Sequence, residues 1–180
     1  MNIQLNTQAL DFGAVVGKKP ASTRFILVRH GETDWNREKR FQGHTDIALN
    51  AHGLRQAAHI RRYFDQIELT SNASLYDHCV SSDLIRAQTT ARTIHGNKPP
   101  PITLNANLRE RHYGHLSGLT ADEMRVKSPA EYQGLLERAP DASLLGGESL
   151  ARFYQRVTEA FEQIARDKAG QTVLVVGHGG

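Results

Sequence analysis

The sequence predicts an α/β fold, a three-layer sandwich with a mostly parallel central sheet, on three observations. Short apolar, β-prone runs alternate with amphipathic helical segments along the chain. Two of the runs, Phe25-Ile26-Leu27-Val28 and Val173-Leu174-Val175-Val176, carry no polar residue, the pattern of buried strands. Each is then broken by glycine beside histidine, in Arg29-His30-Gly31 and in Gly177-His178-Gly179-Gly180.

Taken in order, residues 1–22 have no cationic start followed by a continuous apolar stretch, so they do not read as a signal peptide. Gly13, Gly17, Lys18, Lys19 and Pro20 make them an N-terminal extension ahead of one domain over 23–180. After the first strand, Asn50 is a helix N-cap, with Leu54, Ala57, Ala58 and Phe64 as the apolar stripe. Residues 75–81 form the second strand. Ser82 or Asp83 then caps a helix with Leu84, Ala87, Ala91 and Ile94 on one face. His95-Gly96-Asn97 ends it, Pro99-Pro100-Pro101 keeps the chain extended, and 102–104 form a short third strand.

Residues 105–118, rich in His, Arg and Gly, are irregular. Thr120 and Glu123 have capping-box spacing and open a short helix, and 130–138 form another. The turn Gly146-Gly147-Glu148-Ser149 leads to the longest regular period, Leu150, Phe153, Val157, Ala160, Phe161 and Ile164. Arg166 and Lys168 suit the negative end of that helix. The last strand is followed by four residues, Gly177 to Gly180, so the covering helix of a doubly wound fold is missing and the C-terminal end reads as truncated.

Composition narrows the function classes. A chain of 180 residues, 39% apolar and 23% charged, suits one soluble domain. The net charge of +3 comes without a nucleic-acid-type basic run, because Glu38 interrupts the stretch from Arg37 to Arg40. A small anionic metabolite is the expected partner, with no nucleic acid and no membrane; a homodimer is compatible with this reading. No run approaches the length of a membrane span. Cys79 is the sole cysteine, which excludes an internal disulfide, suits a reducing cytosol and reads as a core thiol.

Four chemistry-bearing residues follow four successive strands: His30, Arg86, Glu110 and His178. Parallel strands bring their carboxyl ends to one edge, so these residues can converge. A histidine that attacks phosphorus must be neutral, with its other ring nitrogen held. The transferring phosphoryl group needs fixed donors, which Arg29 and Arg86 supply as planar cations. A leaving alkoxide needs a proton, which Glu110 can donate. Each has a plainer reading: His44, His52, His59, His78 and His95 are ordinary structural or surface histidines, and Arg86 alone is a solvated helix residue. Glu110, among Arg109, Arg111 and His112, fits a surface ion pair equally well. A zinc site is the rival use of clustered histidines, but neither HExxH nor paired Cys/His spacing occurs.

Arg29-His30-Gly31-Glu32-Thr33-Asp34-Trp35-Asn36 with Arg40-Phe41-Gln42-Gly43 resembles the histidine phosphatase superfamily, in its phosphoglycerate mutase-like branch. Ser81-Ser82-Asp83-Leu84-Ile85-Arg86-Ala87, Glu110-Arg111-His112-Tyr113-Gly114, Gly146-Gly147-Glu148-Ser149 and Val175-Val176-Gly177-His178-Gly179 follow in family order, so the resemblance spans residues 24–180. It implies a phosphoglycerate mutase-like fold, a phosphohistidine on His30, a phosphate pocket of Arg29, Arg86 and His178, and Glu110 as proton donor. It further implies substrate contacts from Asn36, Gln42, Gly43, Arg111, Tyr113 and Gly179, with no metal and no cofactor.

The mutases resembled here hold a substrate carboxylate with a lid lysine and an adjacent arginine pair. This chain has Ala121 at the lysine position, and between Thr120 and Ser149 its only cations are Arg125, Lys127 and Arg138, none adjacent. The expectation is therefore a phosphatase acting on small phosphomonoesters. A cofactor-dependent phosphoglycerate mutase is the alternative, and a non-catalytic phosphate-binding scaffold the third reading.

Overall fold

The computed structural model describes residues 21–142 and 144–179; the extension expected over 1–22 lies almost wholly outside them. Among the described residues four strands form one sheet: β1 (Arg24–Arg29), β2 (His78–Ser81), β3 (Thr103–Leu104) and β4 (Thr172–Gly177), in the order β1-β4-β2-β3. Every pairing is parallel, with Leu27 opposite Val175 and Val80 opposite Val175 on either side of the central strand. Connections between parallel strands must cross a face of the sheet, and the helices do so.

Side chains alternate between faces along a strand, and β4 displays this directly. Leu174 and Val176 pack with Phe64 of α2 (Ala51–Ser71) and with Ala87, Ala91 and Ile94 of α3 (Ile85–His95). Val173 and Val175 pack on the opposite face with Ala160 and Ile164 of a long helix over Leu150–Asp167. Phe25 meets Phe161 edge-to-face there at 5.2 Å. This is the expected three-layer sandwich. Cys79 lies in the first cluster, 1% exposed, and burial pushes its thiol up to about 12. Among the described residues no helix is long and apolar enough to cross a membrane.

The remaining helices are α1 (Asp34–Arg37), α4 (Ala121–Lys127) and α5 (Pro129–Leu136), which makes the long helix α6. Leu116, Met124 and Leu144 form a third small core, with Phe41, Tyr113, Tyr132 and Leu135 against it, that seats α4 and α5 on the loops after β1 and β3. Asn50 and Thr120 cap their helices as expected, Thr120 within a full capping box with Glu123, and Ser149, expected only as part of a turn, caps α6.

Several local expectations are corrected. β2 starts at His78 rather than at residue 75, because Glu68 Oε1 takes the Leu75 amide and the Ser74 hydroxyl donates to the Tyr76 carbonyl. These side-chain bonds replace the ladder. Neither Ser82 nor Asp83 is the N-cap of α3: Leu84 holds that position without a side-chain bond, and Asp46 Oδ1 accepts the Ile85 amide at 2.6 Å. Leu54 is 45% exposed; the inward stripe of α2 runs through Gly53, Ala57 and Phe64.

Gly53 is on that stripe because backbone passes there. A Cβ on it would lie 2.2 Å from the Glu32 carbonyl oxygen, and a Cβ on Gly31 would lie 2.5 Å from that of Gly53. Only paired glycines let the first turn of α2 press on the loop that leaves β1, and this contact holds His30 at the strand end.

Candidate active site

The carboxyl ends of β1, β2 and β4 meet at one edge, and His30, Arg86 and His178 converge there. The His30 amide donates to the Gly177 carbonyl at 3.0 Å, which continues the β1–β4 ladder one residue past the strand. Its ring is 7% exposed, with Nδ1 2.7 Å from the Gly31 carbonyl oxygen. A carbonyl only accepts, so Nδ1 carries the proton and Nε2 holds the free lone pair. Burial, assisted by the charges of Arg86 and Arg29, pushes the His30 pKa down to about 4. At neutral pH the ring is neutral, with the Nε2 lone pair unoccupied.

Arg86 lies one residue into α3 and is fully buried. Nη1 donates to the Thr45 carbonyl at 2.9 Å and Nη2 to the Gly43 carbonyl at 2.8 Å, while Nε has no partner. Among the described residues no carboxylate lies within ion-pair distance of it. Burial lowers its pKa to about 10, so it stays a cation at neutral pH. A buried charge without a direct ion pair is costly, and a bound anion offsets that cost. His178 stands beside His30, ring centroids 5.2 Å apart, with Nε2 2.8 Å from Ser82 Oγ and Nδ1 buried without a partner. Burial and the Arg86 and His30 charges push its pKa down to about 2.

A cavity of about 400 Å³, open to solvent, lies over these groups. Arg29, His30, Asn36, Gln42, Arg86, Glu110, Tyr113 and Gly179 line it, and so do Lys39, Arg40 and Arg138. Asn36 spends its side-chain oxygen on the Thr33 amide and hydroxyl, both at 3.0 Å, which leaves its NH2 for the cavity. Gln42 is 7% exposed and its Oε1 is unpartnered. Two expected substrate contacts sit elsewhere. Gly43 is off the cavity wall and acts through its carbonyl on Arg86, and Arg111, 6% exposed, donates from Nε to the Glu148 carbonyl at 3.2 Å. His178 lines a neighbouring apolar cavity of about 370 Å³ together with Leu27, Phe153 and Phe161.

Among the described residues Glu110 makes no surface ion pair. Arg109 takes that role, gripping Asp83 through two bonds of 2.7 and 2.5 Å. The Glu110 carboxylate accepts instead from the Arg111 amide at 2.8 Å and the Gly179 amide at 3.3 Å. His44, read from sequence as an ordinary histidine, bonds the Glu110 carbonyl through Nε2 at 2.9 Å and packs edge-on against His112, centroids 4.5 Å apart. Nothing in the sequence around His44 signals this; the contact depends on two loops meeting. No group of three His, Cys, Asp or Glu side chains placed to hold a metal occurs among the described residues.

The two buried imidazoles make stability depend on pH. Both folded pKa values lie below the ordinary 6.5, so the unfolded chain binds more protons in acid, and stability falls as pH drops from 6.5 toward about 4. Each histidine adds up to about 1.4 kcal/mol per pH unit over that window. His30→Asn, which does not titrate there, should therefore gain stability relative to the natural chain as pH is lowered, in denaturant titrations at pH 7, 6 and 5. Parallel pH dependences for the two proteins would disprove the buried neutral imidazole.

The family profile of the histidine phosphatase superfamily (branch 1) matches residues 25–180. The chain is 37% identical over 157 residues to phosphoglycerate mutase-like protein 4 of Arabidopsis thaliana, covering 86% of this chain and 66% of that protein. It is 39% identical over 160 residues to the metal-independent phosphoserine phosphatase of the same plant, covering 88% and 65%. The chain thus spans just under two thirds of the length of these relatives. The crystal structure of phosphoserine phosphatase in complex with 3-phosphoglyceric acid from Entamoeba histolytica superposes with a TM-score of 0.74 at 28% identity, over 87% of this chain and 74% of that one.

Proposed function

Because the chain belongs to the histidine phosphatase superfamily, branch 1, we propose that it is a phosphoric monoester hydrolase that uses His30 as a covalent nucleophile on small phosphorylated metabolites. The observation that carries this reading is Arg86: a fully buried cation with an unpartnered Nε and no carboxylate partner among the described residues, beside a neutral imidazole. Such a site demands a dianion and offers it a nucleophile.

In the proposed reaction Nε2 of His30 attacks phosphorus, and the bond to the alcohol oxygen breaks as that oxygen takes a proton from Glu110. Arg29, Arg86 and His178 hold the charge on the equatorial oxygens, with Asn36, Gln42 and the cavity-lining Tyr113 beside them. Water then attacks the phosphohistidine, gives its proton to the Glu110 carboxylate, and breaks the P–N bond to release inorganic phosphate. The open cavity supports hydrolysis, since the phosphoenzyme stands within reach of water. The single buried thiol, Cys79, supports a reducing cytosol as the compartment.

The mutase reading draws on one observation. Lys39 and Arg138 line the cavity, and neither side chain has a hydrogen-bond or ion-pair partner among the described residues. Two free cations beyond the phosphate site suit a second anionic group on the substrate. A panel of O-phosphoserine, 3-phosphoglycerate, glycerol phosphate and an aryl phosphate, assayed in EDTA, separates the possibilities. Inorganic phosphate should be released at an undiminished rate, with lower KM for the two carboxylates. Phosphoglycerate interconversion without phosphate release would make the protein a mutase. Loss of activity in EDTA, restored by zinc or magnesium, would replace the arginine mechanism by a metal.

A further inference from the structure

We infer that Arg156 and Glu148 are positioning residues that fix the peptide of Glu110, and that His44 secures the same peptide from a separate loop. The inference rests on Glu110 being the proton donor of the reading above. Glu110 sits in a segment without regular hydrogen bonding, between short 3-10 turns at Ala106–Leu108 and Gly114–Leu116. Such a segment needs side chains to hold its backbone. One guanidinium does most of that: Arg156 Nη1 donates to the carbonyls of Asn107 at 2.7 Å and Arg109 at 3.1 Å, and Nη2 to that of Glu110 at 3.3 Å.

Nη2 also donates to Glu148 Oε1 at 2.6 Å, and the same oxygen accepts the His112 amide at 2.8 Å. The Glu148 amide returns a bond to the His112 carbonyl at 2.9 Å, and the Glu148 carbonyl takes Arg111 Nε. Residues 107, 109, 110, 111 and 112 are thus bound to one ion pair whose side chains are only 20% and 14% exposed. An exposed ion pair contributes little to stability, but this one is anchored on α6, a wall of the core, and grips the acid's own peptide. Three carbonyls need the planar fork of arginine, which the single ammonium of lysine cannot reproduce.

The expected consequence concerns proton donation. A displaced acid slows esters whose alkoxide must be protonated and spares those whose leaving group departs unaided. Arg156→Met should lower kcat on glycerol phosphate on the order of 10- to 100-fold, as a displacement near 1 Å does, and kcat on an aryl phosphate only a few-fold. KM should change little on either. Arg156→Lys should recover part of the loss, and it keeps the test alive if the methionine variant folds poorly. With Glu110→Gln in place, adding Arg156→Met should cost no more on glycerol phosphate than the few-fold it costs on the aryl ester.

Equal losses on both esters, or the full Arg156→Met loss recurring in the double variant, would overturn the positioning role and leave Arg156 merely structural. If Glu110→Gln alone loses equally on both esters, the reading of Glu110 as the acid fails instead.

Discussion

His30→Ala is expected to remove turnover by at least about 10⁴-fold and to remove the phosphoenzyme entirely. The natural protein, quenched during turnover of a labelled ester, should carry an acid-labile, base-stable phosphate on His30, and the variant none. The expectation follows from which lone pair is free. The Gly31 carbonyl fixes the proton on Nδ1 and burial keeps the ring neutral, so Nε2 is ready to attack without a base to activate it. The nearest substitute is His178, but it lines the neighbouring apolar cavity rather than the one over His30. The loss should not come from unfolding: Arg86 remains, so inorganic phosphate should still raise the melting temperature of the variant. Near-normal activity in His30→Ala would end the covalent mechanism. A labelled variant would move the nucleophile elsewhere.

The parts of the site legible in the sequence are those attached to strands. His30 and His178 each follow an apolar run within two residues, and the parallel sheet necessarily brings such ends together. Arg86 follows β2 by one turn, and local spacing again carries it to the same edge. What spacing could not show is the outcome of competition among neighbours. Arg109 and Glu110 are adjacent and either could pair; the backbone turns Arg109 to Asp83 and leaves Glu110 without a direct ion pair among the described residues.

Long-range partners were equally hidden. Asp46 caps α3 from 39 residues away, and His44 reaches Glu110 from 66. Lys39 and Arg138 both occupy left-handed backbone just past a helix end, with φ of 58° and 50°, and line one cavity because the third core seats α5 against the loop after β1. Glycine would be easier at both positions, so the two cations are held there at some conformational cost. A pattern of residue types records a strand or a cap. It does not record which loops a small apolar cluster such as Leu116, Met124 and Leu144 draws together.

The second large effect is expected from Glu110→Gln, read as a contrast between substrates. Glutamine keeps one oxygen to accept the Arg111 amide at 2.8 Å and gives up only the longer bond from the Gly179 amide at 3.3 Å, so the loop should survive the change. It has no proton to give. One general acid contributes about 10²–10⁴-fold, and that factor should be lost for glycerol phosphate or phosphoserine, whose alkoxides leave only when protonated. An aryl phosphate, whose leaving group is stable as an anion, should lose far less while formation of the phosphohistidine limits the rate. A burst of released phenol with slow phosphate release would then expose the second role, in which the Glu110 carboxylate takes a proton from the attacking water. Efficient release of inorganic phosphate from a monophosphate, with no bisphosphate added as primer, belongs to the same experiment. Losses of equal size on alkyl and aryl esters, without a burst, would remove Glu110 as the acid and leave it a residue that orients Gly179 beside Arg29.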